Sequence, residues 1–243
     1  MKEDIKVTGL ILLAAPVSEY DKRLVILTKE RGKITVFARG ARRPGSSFLA
    51  AANPFAFGEF ELFRGRSAFN LQRAHISQYF RDLTTDYDKA CYGFYFLEAA
   101  EYYSMENEDD KELLKLLYQS LRALESDKFS LKLVRSIFEL KLLKINGEYP
   151  DLYSCIGCGS KENLKALHIR KGGCVCEKCF PELGGREISG SALYAMQFVI
   201  SSPVAKIFTF RLTPEVEKEF FDAVEALRAV YMPHPFKSLE VLI

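Results

Sequence analysis

Lys22-Arg-Leu-Val-Ile-Leu-Thr28, Glu30-Arg31-Gly32 and Lys33-Ile-Thr-Val-Phe-Ala-Arg39 decide how the first third of this chain folds. The two outer runs are short and rich in β-branched and aromatic residues, and the residues between them suit a hairpin turn. Upstream, Ile5 to Ala15 forms a long first strand, ended by Pro16 and the polar turn Ser18-Glu-Tyr-Asp21. Downstream come Phe55 to Phe63 and Ala68 to Ile76, joined by Arg64-Gly-Arg-Ser67, with Gly58 marking a bulge or sharp bend. Five strands with a bend predict a small closed barrel of the OB type, although an SH3-like barrel would show nearly the same pattern.

From about Leu83 the period changes to that of helices. Thr84 or Thr85 is the expected cap of a helix reaching Tyr103, with Asp86 and Asp88 in its first turn. Leu113, Leu114, Leu117, Leu121 and Leu124 make the stripe of a second helix. A third, from about Ser130 to Ile145, is apolar nearly all round and stops at Asn146-Gly147. Ser189 or Ser191 starts another helix, and Thr213-Pro214-Glu215 starts the last long one. The expected architecture is α+β and multidomain: a barrel over residues 1–80, then a helical domain over 81–243 with an insertion at about 151–183.

That insertion carries the strongest motif. Cys155-Ile-Gly-Cys158 is answered by Cys176-Glu-Lys-Cys179 after 17 residues, the spacing of a four-thiolate zinc knuckle. Gly157 and Gly159 are expected to supply unusual dihedrals in the first turn. Between the pairs, Leu164 to Ile169 reads as one short strand and Lys171-Gly-Gly173 as a turn. Four sulfurs leave no open position for water or substrate, so the expected Zn2+ is structural. The His-x-Glu of zinc deaminases is missing too: His168 is followed by Ile169 and Arg170. Cys91 reads as a small core residue, and Cys174 has the wrong spacing for a ligand.

The net charge of +2 conceals a division. Residues 1–80 carry 13 Lys/Arg against 7 Asp/Glu, whereas residues 81–243 carry 21 against 25, so the barrel is the part suited to a polyanion. Arg39, Arg42 and Arg43 put three guanidinium groups in five residues of a flexible loop, and such groups hold phosphate bidentately. Lys33, Arg64 and Arg66 complete the set of expected nucleic-acid contacts. Phe48, Phe55, Phe57 and Phe69 could stack on bases, but core filling is the stronger reading, because a small barrel needs large side chains inside. Lys2, Lys6 and the apolar run Val7–Ala15 mimic a signal peptide. Glu3 and Asp4 and the lack of a small-x-small site argue against export, so a reducing cytoplasm is expected. No run approaches the ~18 apolar residues of a membrane span.

Several motifs together resemble the bacterial RecO recombination-repair family. They are Phe138-Glu-Leu-Lys-Leu-Leu143, Gly147, Pro150, Cys155-x-x-Cys158-Gly159, and Gly172-Gly173 before Cys176-x-x-Cys179. Gly40-Ala-Arg-Arg43 and Pro235-Phe-Lys-Ser-Leu239 are similar to that family as well, so the likeness spans the chain in order. It implies an N-terminal OB fold and a helical C-terminal domain with the zinc motif. It also implies binding of single- and double-stranded DNA, annealing of complementary strands, and partnership with RecR and the tail of single-stranded-DNA-binding protein. Help in loading RecA and a place at the bacterial nucleoid follow from the same resemblance. No catalytic residue is expected. The rivals are an RNA-binding or transcription-associated protein, since barrels and knuckles serve there too, and a zinc enzyme. The saturated sulfur set and the dispersed His75, His168 and His234 weigh against the enzyme.

Overall fold

The computed structural model describes residues 4–65 and 68–242. Five strands, β1 (Asp4–Pro16), β2 (Lys22–Thr28), β3 (Gly32–Ala38), β4 (Phe57–Arg64) and β5 (Phe69–Gln78), form a closed barrel in the order β1-β2-β3-β5-β4. All neighbours are antiparallel except β3 and β5, which close the ring in parallel through Val36–Phe69 and Phe37–Asn70. This is the OB arrangement. Val7, Ile11, Leu24, Ile26, Ile34, Val36, Phe60 and Leu62 fill the interior. The bend expected at Gly58 is a register shift between Phe57 and Gly58. A Cβ there would lie 2.2 Å from the His75 carbonyl oxygen, so only glycine lets the two strands close. The loop after β3 holds a short helix, α1 (Phe48–Ala51), which nothing in its Gly- and Ser-rich surroundings announced.

The strands differ in what covers their outer faces. In β2, Leu24 and Ile26 face the barrel core, yet the alternate residues Val25 and Leu27 are also buried. Helices α3 (Tyr87–Tyr103) and α4 (Lys111–Glu125) pack against β1 and β2 and account for this double burial. β3 instead alternates strictly: Ile34, Val36 and Ala38 are buried, whereas Lys33, Thr35 and Phe37 remain partly exposed. Beyond Lys33 the outer side of β3 is therefore only partly covered.

The chain divides into two compact units, one running to Glu125 and including Phe236 onward, the other Ser126–Pro235. The first unit thus continues past the change of period at 81, through α2 (Arg81–Thr85), α3 and α4. The expected cap at Thr84 or Thr85 is displaced. The Thr85 hydroxyl donates to the Asp82 carbonyl inside α2, and Asp86, extended at φ −112° and ψ 121°, accepts the Lys89 N–H and caps α3. In the same unit, α9 (Lys237–Glu240) lies along α3. The Glu98 carboxylate accepts the backbone N–H groups of Lys237 at 3.0 Å and Ser238 at 2.9 Å, and Phe236 is buried beside Tyr95, Tyr102 and Tyr103.

In the second unit, α5 (Leu131–Ile145) is capped by Ser130, and α7 (Gly190–Ser201) and α8 (Pro214–Tyr231) pack against it. Ser189 and Thr213 cap the latter two, as their sequence positions suggest. Three charged residues of α5 are buried. Arg135 Nε donates to Glu139 at 2.8 Å and its guanidinium also pairs with Glu225. Lys141 Nζ donates to the carbonyls of Val199 and Ile200 at 3.1 Å and of Ser202 at 2.6 Å, satisfying the C-terminal end of α7. Among the described residues no helix is long and apolar enough to cross a membrane.

Candidate nucleic-acid interface and metal centre

The partly covered face of β3 ends in the arginine loop. Arg23 pairs in register with Phe37, and Arg39 follows two residues later. The loop is latched to the turn between β1 and β2. Arg42 Nη1 donates to the Ser18 carbonyl at 3.0 Å, its backbone N–H to the Tyr20 carbonyl at 2.9 Å, and the Arg43 guanidinium sits 5.2 Å from the Tyr20 ring centroid. The Gly40 N–H donates to Asp21 Oδ1 at 2.7 Å and holds that carboxyl below its usual range. Lys22 Nζ reaches the Ala52 carbonyl at 2.9 Å and Asn53 Oδ1 at 2.7 Å. Burial, and then the charge of Arg42, lower the Lys22 pKa. Arg39, Arg42 and Arg43 thus stay exposed while the backbone beneath them is fixed. Such an end can hold phosphate oxygens without first ordering a loop.

The other expected contacts lie elsewhere on the barrel. Lys33 is turned to α3, with Nζ 2.6 Å from the Glu101 carbonyl and 3.7 Å from its carboxylate. It lines a cleft shared with Arg31, Arg64 and Phe69, separate from the loop of Arg39, Arg42 and Arg43. Arg66 lies outside the described residues. Of the four phenylalanines, Phe55 is buried against Phe94, with ring centroids 4.8 Å apart, and Phe57 packs on Tyr118 at 4.6 Å. Phe48 and Phe69 are half-buried against the barrel core. Arg23, Arg31, Tyr20 and Phe37 were not singled out by sequence. Parity marks two of them: Phe37 falls opposite to Val36 and Ala38, and Arg23 opposite to Leu24.

The cysteines converge as their spacing requires. β6 (Asp151–Cys155), β7 (Leu164–His168), β8 (Gly173–Cys176) and β9 (Arg186–Glu187) form a sheet in the order β6-β8-β7-β9, where one strand was expected, and the short helix α6 (Phe180–Leu183) follows the second cysteine pair. The extra strands carry little pattern: β6 and β8 are short and each ends in a cysteine of the cluster, and β9 has two residues. The sulfurs of Cys155, Cys158, Cys176 and Cys179 all lie within 4.8 Å of one another, with Cys158 and Cys176 at 3.6 Å. A tetrahedral ion with metal–sulfur bonds of about 2.3 Å needs sulfurs roughly 3.8 Å apart, so this donor set can hold one metal ion. Burial of Cys155 opposes its ionisation, but the backbone N–H groups of Cys176, Cys158 and Gly157 outweigh it and pull the thiol down to about 6. Cys174 lies outside the cluster; burial, with Asp151 and Cys155 nearby, pushes it up to about 12. Gly159 has the expected positive φ of 75°, whereas Gly157 does not. Gly157 is needed for space, since a Cβ would lie 3.1 Å from the Cys179 sulfur and 2.8 Å from Leu183 Cδ1.

The knuckle is fastened to its helices by polar contacts. The Tyr153 hydroxyl donates to the Gln197 carbonyl at 3.0 Å, and Gln197 Nε2 returns a bond to the Leu152 carbonyl at 2.7 Å. Tyr231 donates to the Ile169 carbonyl at 3.0 Å, and Arg186 pairs with Asp222 at 3.1 Å. The His168 ring nitrogen Nδ1 accepts the Lys171 N–H and stands apart from the four sulfurs.

Two family models match the chain: Recombination protein O N terminal over residues 1–80, and Recombination protein O C terminal over residues 84–240. Among curated relatives, the DNA repair protein RecO of Clostridium novyi (strain NT) is 30% identical over 237 residues, covering 97% of this chain and 92% of the relative. That of Clostridium perfringens (strain 13 / Type A) is 31% identical over 236 residues, 96% and 95% of the two chains. That of Symbiobacterium thermophilum is 33% identical over 242 residues, 97% and 95%.

Proposed function

This chain belongs to the RecO family of DNA repair and recombination proteins, and from that premise we propose that it is a non-enzymatic mediator whose barrel binds DNA through its phosphates. The observation that carries the reading is the arginine end of the barrel. Arg39, Arg42 and Arg43 stand exposed on a latched loop, next to the partly covered β3 face with Arg23 and Phe37. Contacts of this kind take single and double strands alike, because both present phosphates. Holding two complementary strands lowers their mutual repulsion, and base pairing then supplies the free energy of annealing without a catalytic group. Stacking on Phe37 adds affinity for unpaired bases with little regard to sequence.

The sulfur cluster takes Zn2+, which holds the knuckle sheet together and performs no chemistry, since four thiolates fill its coordination. In the cytoplasm the protein works with RecR, with the tail of single-stranded-DNA-binding protein, and through them with RecA. The test is an annealing assay with complementary oligonucleotides, with and without single-stranded-DNA-binding protein, comparing wild type with the Arg42→Ala, Arg43→Ala double variant. Faster pairing by the wild type, lost in the variant, is expected. Pairing no faster than in protein-free controls would sink the mediator reading.

A further inference from the structure

Arg31, Lys33, Arg64, Phe69, Glu106 and Asn107 line a cleft of about 260 Å³ on the flank of the barrel. It lies where β3, β5 and β4 meet, with Phe69 pairing to Val36 on one side and to Arg64 on the other. Glu106 is fixed at its edge by bridges to Gly32 and Lys33, and the Lys33 N–H donates to the Met105 carbonyl at 3.1 Å. The volume is below the roughly 300–1,000 Å³ of sites for drug-sized ligands, and suits a smaller planar group.

The walls separate two ligand chemistries. A phosphate inside would meet Glu106 as well as Arg31 and Arg64, while the Lys33 ammonium is engaged by Glu101. An uncharged planar group meets instead the Phe69 ring, with the Arg31 guanidinium 6.0 Å from its centroid. A plane inserted between a ring and a guanidinium needs about 7 Å, two stacking contacts of ~3.5 Å each. A swing of ~1 Å by the Arg31 side chain therefore opens a slot of the right width.

We propose that this cleft holds one unpaired nucleobase, stacked between Phe69 and Arg31, and so gives the barrel a means of telling single strand from duplex. A base in duplex is already paired and stacked, and would have to leave the helix to enter. The inference rests on the DNA-binding reading above and deepens it, adding a base contact to the phosphate contacts of the arginine loop.

The test uses the full chain and two oligonucleotides of equal length and phosphate count, one of thymidines and one with abasic sites throughout, followed by fluorescence anisotropy. Wild type is expected to bind the thymidine strand about tenfold more tightly, as one stacked base allows. Phe69→Leu keeps apolar volume against the core but removes the ring. It should bind the abasic strand as wild type does and lose most of the preference, keeping only the share that stacking on Phe37 supplies. Arg31→Gln, which does not touch the core, should also reduce the preference. Equal binding of the two strands by wild type, or equal weakening of both by Phe69→Leu, would overturn the base pocket while leaving phosphate binding intact. Failure of wild type to bind either strand at low salt would overturn the DNA-binding reading itself, and the pocket with it.

Discussion

The cysteine knuckle and the arginine end of the barrel are opposite kinds of site. In the knuckle, four sulfurs lie within 4.8 Å of one another and can saturate one ion, and Tyr153, Gln197 and Tyr231 tie the sheet to its helices. At the barrel end, backbone and turn are satisfied internally while three arginines stay exposed, Arg42 with one nitrogen on the Ser18 carbonyl and Arg43 over Tyr20. Saturated coordination demands fixed spacing, and fixed spacing is a motif. An exposed phosphate surface demands only charge on a firm base, and leaves almost no pattern. The region with the louder sequence signal is thus the one expected to hold the fold, and the quieter one is expected to meet the partner.

The sharpest way to break that contrast is Cys155→Ser. It should abolish bound zinc and cost on the order of 3–5 kcal/mol, a fall in Tm of ~10 °C, while affinity for single-stranded DNA changes less than twofold. An equal loss of DNA affinity, measured by anisotropy below the lowered Tm, would join the two regions functionally and end the distinction.

Next in size is Arg135→Met, which takes the bonded guanidinium away from buried Glu139; it should cost ~3 kcal/mol in urea unfolding. Adding Glu139→Leu should recover much of that. A single variant as stable as wild type would show that the buried charges do not fix the helices carrying the knuckle.

Acid tests the same network through Glu225. Burial raises the pKa of this carboxyl, but its bond with Arg228 and the charge of Arg135 outweigh burial, so the folded pKa is below the unfolded one. Stability from this group is present above the unfolded value near 4.3 and is lost as pH falls through the lower folded value. Glu225→Gln should therefore lose less stability than wild type between about pH 5 and pH 3. Parallel stability profiles would remove the ion pairs from the ledger.

The barrel end is probed by Arg42→Ala with Arg43→Ala. The slope of log affinity against log salt should flatten by roughly 1.4 for two lost phosphate contacts on single strands, with Tm nearly unchanged. Lys33→Ala should do least, because its ammonium already serves Glu101; it should lower stability by no more than ~1 kcal/mol. A salt-slope change as large as that of the arginine pair would place Lys33 on the DNA.

How much of this was readable depends on range. The five strands, the stop at Asn146 and the helix starts at Ser130, Ser189 and Thr213 follow from neighbours a few residues apart. The difference between β2 and β3 was also present, as an unbroken apolar run beside an alternating one, and that difference leaves Phe37 partly exposed. What could not be read are contacts across long separations, such as Arg42 on Ser18 or Glu106 on Gly32. Asp86 was misplaced by one position of logic: Asp suits both a first turn and a cap, and only the extended backbone at 86 decides. The Glu and Lys of Phe138-Glu-Leu-Lys-Leu-Leu143, part of the family resemblance, also have a structural role: Glu139 pairs with buried Arg135, and Lys141 closes the end of α7.

The return of Phe236 to α3 bears on how the chain is made. The first compact unit contains residues up to Glu125 and then waits for a segment that lies beyond Pro235. A ribosome must translate all of Ser126–Pro235 before Phe236 can enter the space beside Tyr95 and before Glu98 gains its N–H partners. Domains generally fold as units during synthesis, N-terminal first. Here the N-terminal unit emerges first and is completed late, with the aromatic site on α3 lacking Phe236 throughout the interval.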